Sequence, residues 1–440
     1  MSGSTFGKFL KIITFGESHG PYVGVVMDGV RPNIPISKEE IERELKRRRP
    51  SFHFSSTDRK ERDEVEILSG VFEGKTTGHP ICIVVKNKNY RSEDYENIKN
   101  LFRPGHADFA LFKKYGIRDF RGGGRLSGRE TVGRVIAGSI CKKILSEYKI
   151  YIYGGVIQIG DVQAEIFDRN FVEKNPLKFS DPGKFREAEK LLKGIKKRGD
   201  SIGGKVKIFV EGLMPGIGDP VFDKLDALLT AGIMSIGSVK GVEIGRGFKV
   251  SEMKGSENND QFSQNGFLTN NSGGILGGIS NGDRIEITFS VKPTPSISIE
   301  QSFLSETGNI VKERISGRHD LCICPRIVPV AESMVAIVLT DSILYQEKIK
   351  NMDEIEKKRM IVDLIDVEIL NLLSQRFKVA GEIMELKVKN KKPAFSKNRE
   401  EEILNLCREF SEISGVDEEK IVKIYKKILE LSKRGYEESK

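Results

Sequence analysis

Glycine stops almost completely at residue 350. Of 45 glycines, 42 lie before that point, and only Gly381, Gly415 and Gly435 follow. Glycine weakens helices and is placed where the backbone turns or is approached closely. The first 350 residues therefore read as a loop-rich mixed domain and the last 90 as helices. Charge divides at the same place. Residues 351–440 hold 19 Lys+Arg and 19 Asp+Glu, so the whole net charge of +9 lies in the first 350. A chain of 440 residues also exceeds one ordinary core. Two units of different architecture are expected.

The densest stretch is Arg103 to Arg134, RPGHADFALFKKYGIRDFRGGGRLSGRETVGR. It gathers Arg103, Arg118, Arg121, Arg125, Arg129 and Arg134, with His106 and three consecutive glycines. Arginine forks bind anions, glycines let amides approach a ligand, and an imidazole moves protons near neutral pH. An anionic, phosphorylated ligand handled chemically is the reading that fits. Upstream, 7–15 and 23–30 read as strands around the turn Gly16-Glu17-Ser18-His19-Gly20. Ser37 to Glu40 is a capping box opening a helix that Pro50 stops, with Arg47, Arg48 and Arg49 at its end. Gly70 to Thr76 is one residue short of a P-loop, and no dinucleotide fingerprint follows a strand. Downstream come a helix at 131–147, strands at 150–160, 205–213 and 242–250, a helix at 220–234 and an apolar helix at 329–345. Loops Asn271–Gly278, Lys292–Ser296 and Gly317–Asp320 lie between them. Loops of this kind offer amides, hydroxyls and cations to phosphate oxygens.

The five cysteines do not pair evenly, and Cys322-Ile-Cys324 lacks a second pair at zinc spacing. No metal site is expected. No uninterrupted apolar run approaches the ~20 residues that span a membrane, and no signal peptide is evident. The chain reads as reduced and cytoplasmic.

The motifs GESHG (16–20), RRRP (47–50), RPGHAD (103–108), RGGGRLSGRET (121–131), SVKGVEIG (238–245), GGILGGIS (273–280), KPTPS (292–296) and GRHD (317–320) occur in the order and with the spacing of chorismate synthase. Residues ~4–345 resemble that family. The resemblance implies an α+β fold, a β-α-β sandwich of antiparallel sheets around helices, over residues 1–345. It implies a 1,4-anti elimination that converts 5-enolpyruvylshikimate 3-phosphate to chorismate with reduced FMN. By resemblance His19 is the acid at the departing phosphate, His106 serves the flavin, and Asp320 helps remove the C6 proton. Arg48 and Arg103 match substrate-binding cations. Arg125, Leu126, Ser127, Gly237, Ser238, Gly278, Lys292, Pro293, Thr294, Pro295, Ser296 and Arg318 match flavin contacts. NADPH is a candidate reductant, since some relatives reduce their own flavin. Two positions depart from the family. Ser51-Phe52-His53-Phe54 follows RRRP where an arginine is common, and Leu126-Ser127 replaces a serine pair.

After a polar connector (346–353), residues 354–440 read as an all-α, three-helix domain. Ile361, Leu364, Ile365, Ile369, Leu372, Leu373, Val379, Ile383 and Leu386 form a stripe of helical period from Glu354 to Lys389. Those 36 residues would span ~54 Å with no equal partner in the remaining chain, so a dimer sharing the helix is expected. Pro393 breaks the pattern, Ser396 caps a second helix ending near Gly415, and Asp417 caps a third. Residues ~352–437 are similar to the all-helical chorismate mutases. By resemblance Arg359, from the partner subunit's side, and Arg376 meet the carboxylates of chorismate. Lys387 meets the ether oxygen, Glu400 the hydroxyl, and Arg399 and Ser432 complete the pocket. The rearrangement to prephenate needs a cationic clamp and no cofactor. The family's last ether-oxygen contact falls at Tyr436, with Glu437 adjacent. A homo-oligomer is implied, a tetramer through the first domain and a dimer through the second. Two other readings compete. One is a catalytically weak mutase-like domain acting as a regulatory sensor of chorismate or aromatic amino acids. The other is a basic nucleic-acid-binding protein with a helical dimerisation tail, disfavoured by thin aromatic–basic interleaving.

Overall fold

Two antiparallel five-stranded sheets frame the first part of the chain. One runs, in spatial order, Thr5–Phe6, Lys11–Phe15, Tyr22–Asp28, Ile81–Lys86 and Val65–Ser69. The other runs Val162–Gln163, Tyr151–Ile159, Gly204–Glu211, Ile285–Val291 and Val239–Ile244. The structure, a computed structural model, describes residues 3–49, 63–88, 96, 98–264, 266–315, 320–351, 354–390, 393 and 396–437, with only the backbone at 349–351, 354, 356–358, 360, 361, 363, 364, 367, 368, 371, 397 and 433–437. The helices are α1 (Lys38–Arg48), α2 (Asp108–Tyr115), α3 (Thr131–Glu147), α4 (Arg169–Lys174), α5 (Phe185–Arg198), α6 (Leu225–Met234), α7 (Gly255–Asn258), α8 (Cys324–Asn351), α9 (Glu354–Lys389), α10 (Lys397–Ser414) and α11 (Glu418–Glu437). The chain divides into two units, Met1–Lys348 and Ile349–Lys440.

Period-two burial gives each sheet an inner face. Every second residue of Ile285–Val291 is buried, as are Ile12 and Thr14 of Lys11–Phe15. α3 packs on strands of both sheets. α8 lies against α3 so closely that a Cβ on Gly138 would sit 2.2 Å from Ser333 Cβ. α8 is long and apolar enough to cross a membrane, which the reading of short apolar runs missed because polar residues interrupt it. It is instead the buried centre of this unit, with Val328, Ala331, Ala336 and Leu339 fully enclosed. The result is an α+β unit of antiparallel sheets around helices, as expected.

Two expectations change. The strand read over 242–250 ends at Ile244, because Gly245 turns against the backbone of Asn271–Gly273, and a 3-10 turn follows over Gly247–Glu252. The stretch read as a connector is helical to Asn351, since nothing between Asp341 and Asn351 breaks a helix.

The second unit is three helices, with α9 and α10 each packing on α11. α9 has the expected bounds. Ser396 Oγ accepts from Arg399 N at 3.4 Å, Gly415 closes α10 in the left-handed conformation, and Asp417 Oδ1 accepts from Lys420 N at 3.1 Å.

Candidate active sites

α1 ends in three arginines whose side chains part company. Arg47 joins Glu332 at 2.6 Å, Glu173 at 2.7 Å and Glu44 at 3.0 Å, and Lys142 shares Glu332 and Glu44. Buried Glu332 would be pushed up by desolvation, but Arg47 and Lys142 hold its carboxyl down at about 2. This network ties α1 to α3 and α8. One residue on, Arg48 points the other way and is 3% exposed. It donates to Gly128 O at 3.2 Å and lies 3.5 Å from Asp63 Oδ2. Asp63 also takes Arg129, which donates to Asn87 Oδ1 at 2.8 Å, and Arg49 lies 3.6 Å away. Burial, then the nearby charges of Arg326 and Arg129, bring Arg48 down to about 10 despite Asp63. A guanidinium so crowded with like charge is in surroundings that an added anion would relieve.

Arg326 links this cluster to the next. Its Nε reaches Arg48 O at 3.4 Å and its Nη1 donates to Asp320 Oδ2 at 2.5 Å. Thr294 Oγ1 donates to Asp320 O at 2.7 Å, which fixes the Lys292–Ser296 loop beside it. Lys292 N donates to Ser238 O at 2.9 Å, and its Nζ to Gly105 O at 2.7 Å. Ser238 holds a left-handed φ of 76° next to Gly237. Beyond Gly105 lie Arg103, His106 and Asp108. Arg103 Nη2 also donates to Gly122 O at 2.7 Å. Gly122, at φ 67°, packs so closely that a Cβ would sit 3.0 Å from Ser18 Oγ and 3.1 Å from His19 Nε2. His19 is 4% exposed. Thus six motifs far apart in sequence are joined by a chain of contacts running from Asp63 to His19.

The arginine-rich stretch divides in the same manner. Arg118 donates to Leu101 O at 3.0 Å and lies over Phe102, while Arg121 pairs with Asp119 at 2.9 Å. Arg134 joins Glu130 at 2.9 Å and Ser235 Oγ at 2.6 Å. These brace the loops. Arg125 donates to Thr14 O at 2.6 Å and lies 3.5 Å from Glu130. Ser127 Oγ accepts from Arg129 N at 3.2 Å, and Leu126 between them is exposed. Gly278 is placed differently from the rest. Its carbonyl accepts from Leu225 N at 2.8 Å, and a Cβ there would strike Lys224, so in this structure it anchors the start of α6. Arg318, with Gly317 and His319, lies outside the described residues, as do Ser51 to Phe54. Asp63, Asp108 and Arg326 were missed by the sequence reading. Asp108 stood inside RPGHAD, where the neighbouring histidine drew attention from it.

The chorismate synthase family model matches residues 10–344. The chain belongs to the chorismate synthase family. A crystal structure of a chorismate synthase matches with a TM-score of 0.63 and 30% identity, over 82% of this chain and 98% of that one. The chorismate mutase type II model matches residues 359–436, so the helical unit is a chorismate mutase domain. A chorismate synthase domain and a chorismate mutase domain are thus present in one chain.

In the mutase domain Arg376 Nη1 donates to Ser432 Oγ at 2.7 Å, which joins α9 to α11. Arg359 is exposed, and Arg399 turns outward to Glu402 at 2.6 Å. Lys387 and Glu400 are half-buried. The apolar stripe is not covered: Ile365, Ile369, Leu372, Val379, Ile383 and Leu386 are all exposed.

Proposed function

We propose that the synthase unit eliminates phosphate and the C6 proton from 5-enolpyruvylshikimate 3-phosphate, with reduced FMN as cofactor. The observation that carries this is the contact chain joining two histidines and Asp320 to a buried cluster in which arginines outnumber carboxylates. Ser18 Oγ, Arg48 Nε and Arg125 Nη1 are buried and make no hydrogen bond within the described chain. Such atoms fit ligands with many polar edges, as a phosphorylated substrate and a flavin both have. Arg125, Ser127, Gly237, Ser238, Lys292 and the loop to Ser296 would hold the flavin. Reduced FMN bound there would supply electron density to a reaction with no net redox change.

In this reading Arg48 and its neighbours neutralise the phosphate, and His19 donates a proton or hydrogen bond to the departing oxygen. Asp320, oriented by Arg326, receives the C6 proton. The C3–O and C6–H bonds break and the ring gains a second double bond. Anaerobic turnover with reduced FMN tests this, and a chain that forms no chorismate refutes it. NADPH as reductant is tested by replacing reduced FMN with oxidised FMN plus NADPH.

We further propose that the mutase domain rearranges chorismate to prephenate as a dimer of this chain. The uncovered stripe of α9 supports pairing with a second copy, and Arg359 would then enter the partner subunit's pocket. Exposed Phe222, Phe248 and Phe262 favour further association through the synthase unit, to a tetramer. The sensor reading rests on Tyr436. Prephenate formation from added chorismate decides between them, because robust turnover excludes a dead sensor. The five free thiols fit a cytoplasmic setting.

A further inference from the structure

Arg103 Nη2 carries two N–H bonds and faces three acceptor atoms. They are Gly122 O at 2.7 Å, Asp108 Oδ1 at 2.9 Å and His106 Nδ1 at 3.1 Å. The two oxygens are nearer, and one of them is ionised, so they take the two protons. His106 Nδ1 also lies 2.9 Å from Asp108 Oδ1. An unprotonated nitrogen would set its lone pair against a carboxylate oxygen at that distance. Nδ1 must therefore carry a proton and donate it to Asp108.

We propose that Asp108 is a positioning residue for the synthase reaction. It fixes His106 as the Nδ1–H tautomer and leaves Nε2 as the nitrogen presented to the ligand. The partner of one ring nitrogen sets the state of the other. The functional half of this proposal rests on the reading that His106 works on a ligand in this site; the tautomer itself does not.

Asp108 is built for the task. It is buried at the start of α2, where the helix dipole favours a carboxylate. Arg103 Nε donates to Oδ2 at 2.6 Å and Arg103 N to the same oxygen at 3.2 Å. Arg118 Nη1 stands 3.5 Å from Oδ1. Burial alone would raise the carboxyl, but the hydrogen bonds from Arg103 and His106 hold it well below the usual carboxylate range. Both oxygens are thus committed, and His106 has one orientation to adopt.

Asp108→Asn separates tautomer from fold. An amide has a single acceptor oxygen, and the two Arg103 donors at Oδ2 claim it. The NH₂ group then faces His106 Nδ1, which must accept, so the ring switches to the Nε2–H form. The experiment is a nitrogen–proton correlation spectrum of the full-length chain with ¹⁵N-labelled histidine, at about pH 8.5 where ordinary histidines are neutral. Signals are assigned by their loss in His106→Gln. The wild type should show Nδ1–H and D108N should show Nε2–H. Anaerobic chorismate formation with reduced FMN should fall about 100-fold in D108N, with kcat lowered more than KM is raised. An Nε2–H wild type overturns the assignment, and this holds even if D108N does not fold. An inverted tautomer with turnover within about threefold of wild type overturns the positioning role. The spectra need neither substrate nor cofactor. A wild-type chain that makes no chorismate therefore sinks the functional reading and the role that rests on it, while the tautomer is still decided.

Discussion

In the synthase unit Arg48, Arg103 and Arg129 are buried and paired with carboxylates, whereas the described arginines of the mutase domain stand on or near the surface. Arg48 and Arg103 are 3% and 5% exposed, while the Arg399 side chain is 72% exposed. The cores differ in the same sense. Dozens of side chains interlock around α3 and α8, but among the described residues of the mutase domain only Met384 and Cys407 are buried apolar residues. A closed core can hold a cation rigidly against fixed backbone, which is how a buried charge becomes tolerable. An open one leaves its cations to acquire neighbours when a second copy covers the stripe. The synthase site is therefore held within one described unit, whereas the mutase pocket, in the dimer proposed above, would be completed by association.

Arg48→Ala is expected to have the largest effect. It strands Asp63 among fewer cations and removes the anion receptor, so kcat/KM for the phosphorylated substrate should fall about 1,000-fold. Prephenate formation from added chorismate should stay within about twofold. If both activities fall together, the two sites are not separable as the comparison holds.

Glu332→Gln tests the closed core. Removing one partner of a buried ionic network costs about 3 kcal/mol. Glu332 is depressed from 4.5 to about 2, so its contribution is present above the ordinary carboxylate range and is lost as pH falls from about 4.5 toward 2. Denaturant unfolding should show a lower midpoint for the synthase unit at neutral pH. The variant should also lose less stability than the wild type on acidification through that window. A neutral substitution would mean that Arg47 and Lys142 are held by other means.

What the sequence made legible follows the range of the interaction. Caps, breakers and period are local, and Ser396, Gly415 and Asp417 bound α10 and α11 as read. The motif loops carrying His19, Arg48, His106 and Asp320 were also found, because glycines and cations mark them wherever the chain goes. Partnership was not legible. Nothing in RRRP says that Arg47 faces Glu332 while Arg48 faces Asp63, since the two point apart by a helical step of ~100°. Arg118, Arg121, Arg129 and Arg134, which the family resemblance left without a role, did not show their partners for the same reason. Their carbonyl and carboxylate partners come from as far as Asp63, Asn87 and Ser235. Gly278, a flavin contact by resemblance, is also held by the turn into α6, a partnership with Leu225 that its motif did not reveal.

Ile369→Glu attacks the open unit. A charge in the uncovered stripe would be buried by any pairing, which costs more than the exposed monomer gains. Prephenate formation at low micromolar chain should drop about 30-fold, partly recover at higher concentration, and leave chorismate formation within about twofold. Sedimentation should show the loss of the α9-mediated contact. Unchanged mutase turnover would mean that each mutase domain is complete alone.

Ser432→Ala should have the smallest effect, and its size discriminates most finely. Ser432 Oγ accepts from Arg376 Nη1 and donates to Ile428 O at 2.7 Å, so it holds the guanidinium from α11 without bearing charge. A single such bond contributes about 1 kcal/mol, or about fivefold in KM for chorismate. If pairing supplies the remaining contacts to Arg376, the loss should appear in KM and leave kcat nearly unchanged, because a misplaced cation weakens carboxylate binding before it affects the breaking ether bond. A loss above about 100-fold would mean that Arg376 depends on its own chain's α11 for its position. The mutase pocket would then be more nearly prebuilt within one protomer, and the contrast with the synthase unit would narrow to Arg359 alone.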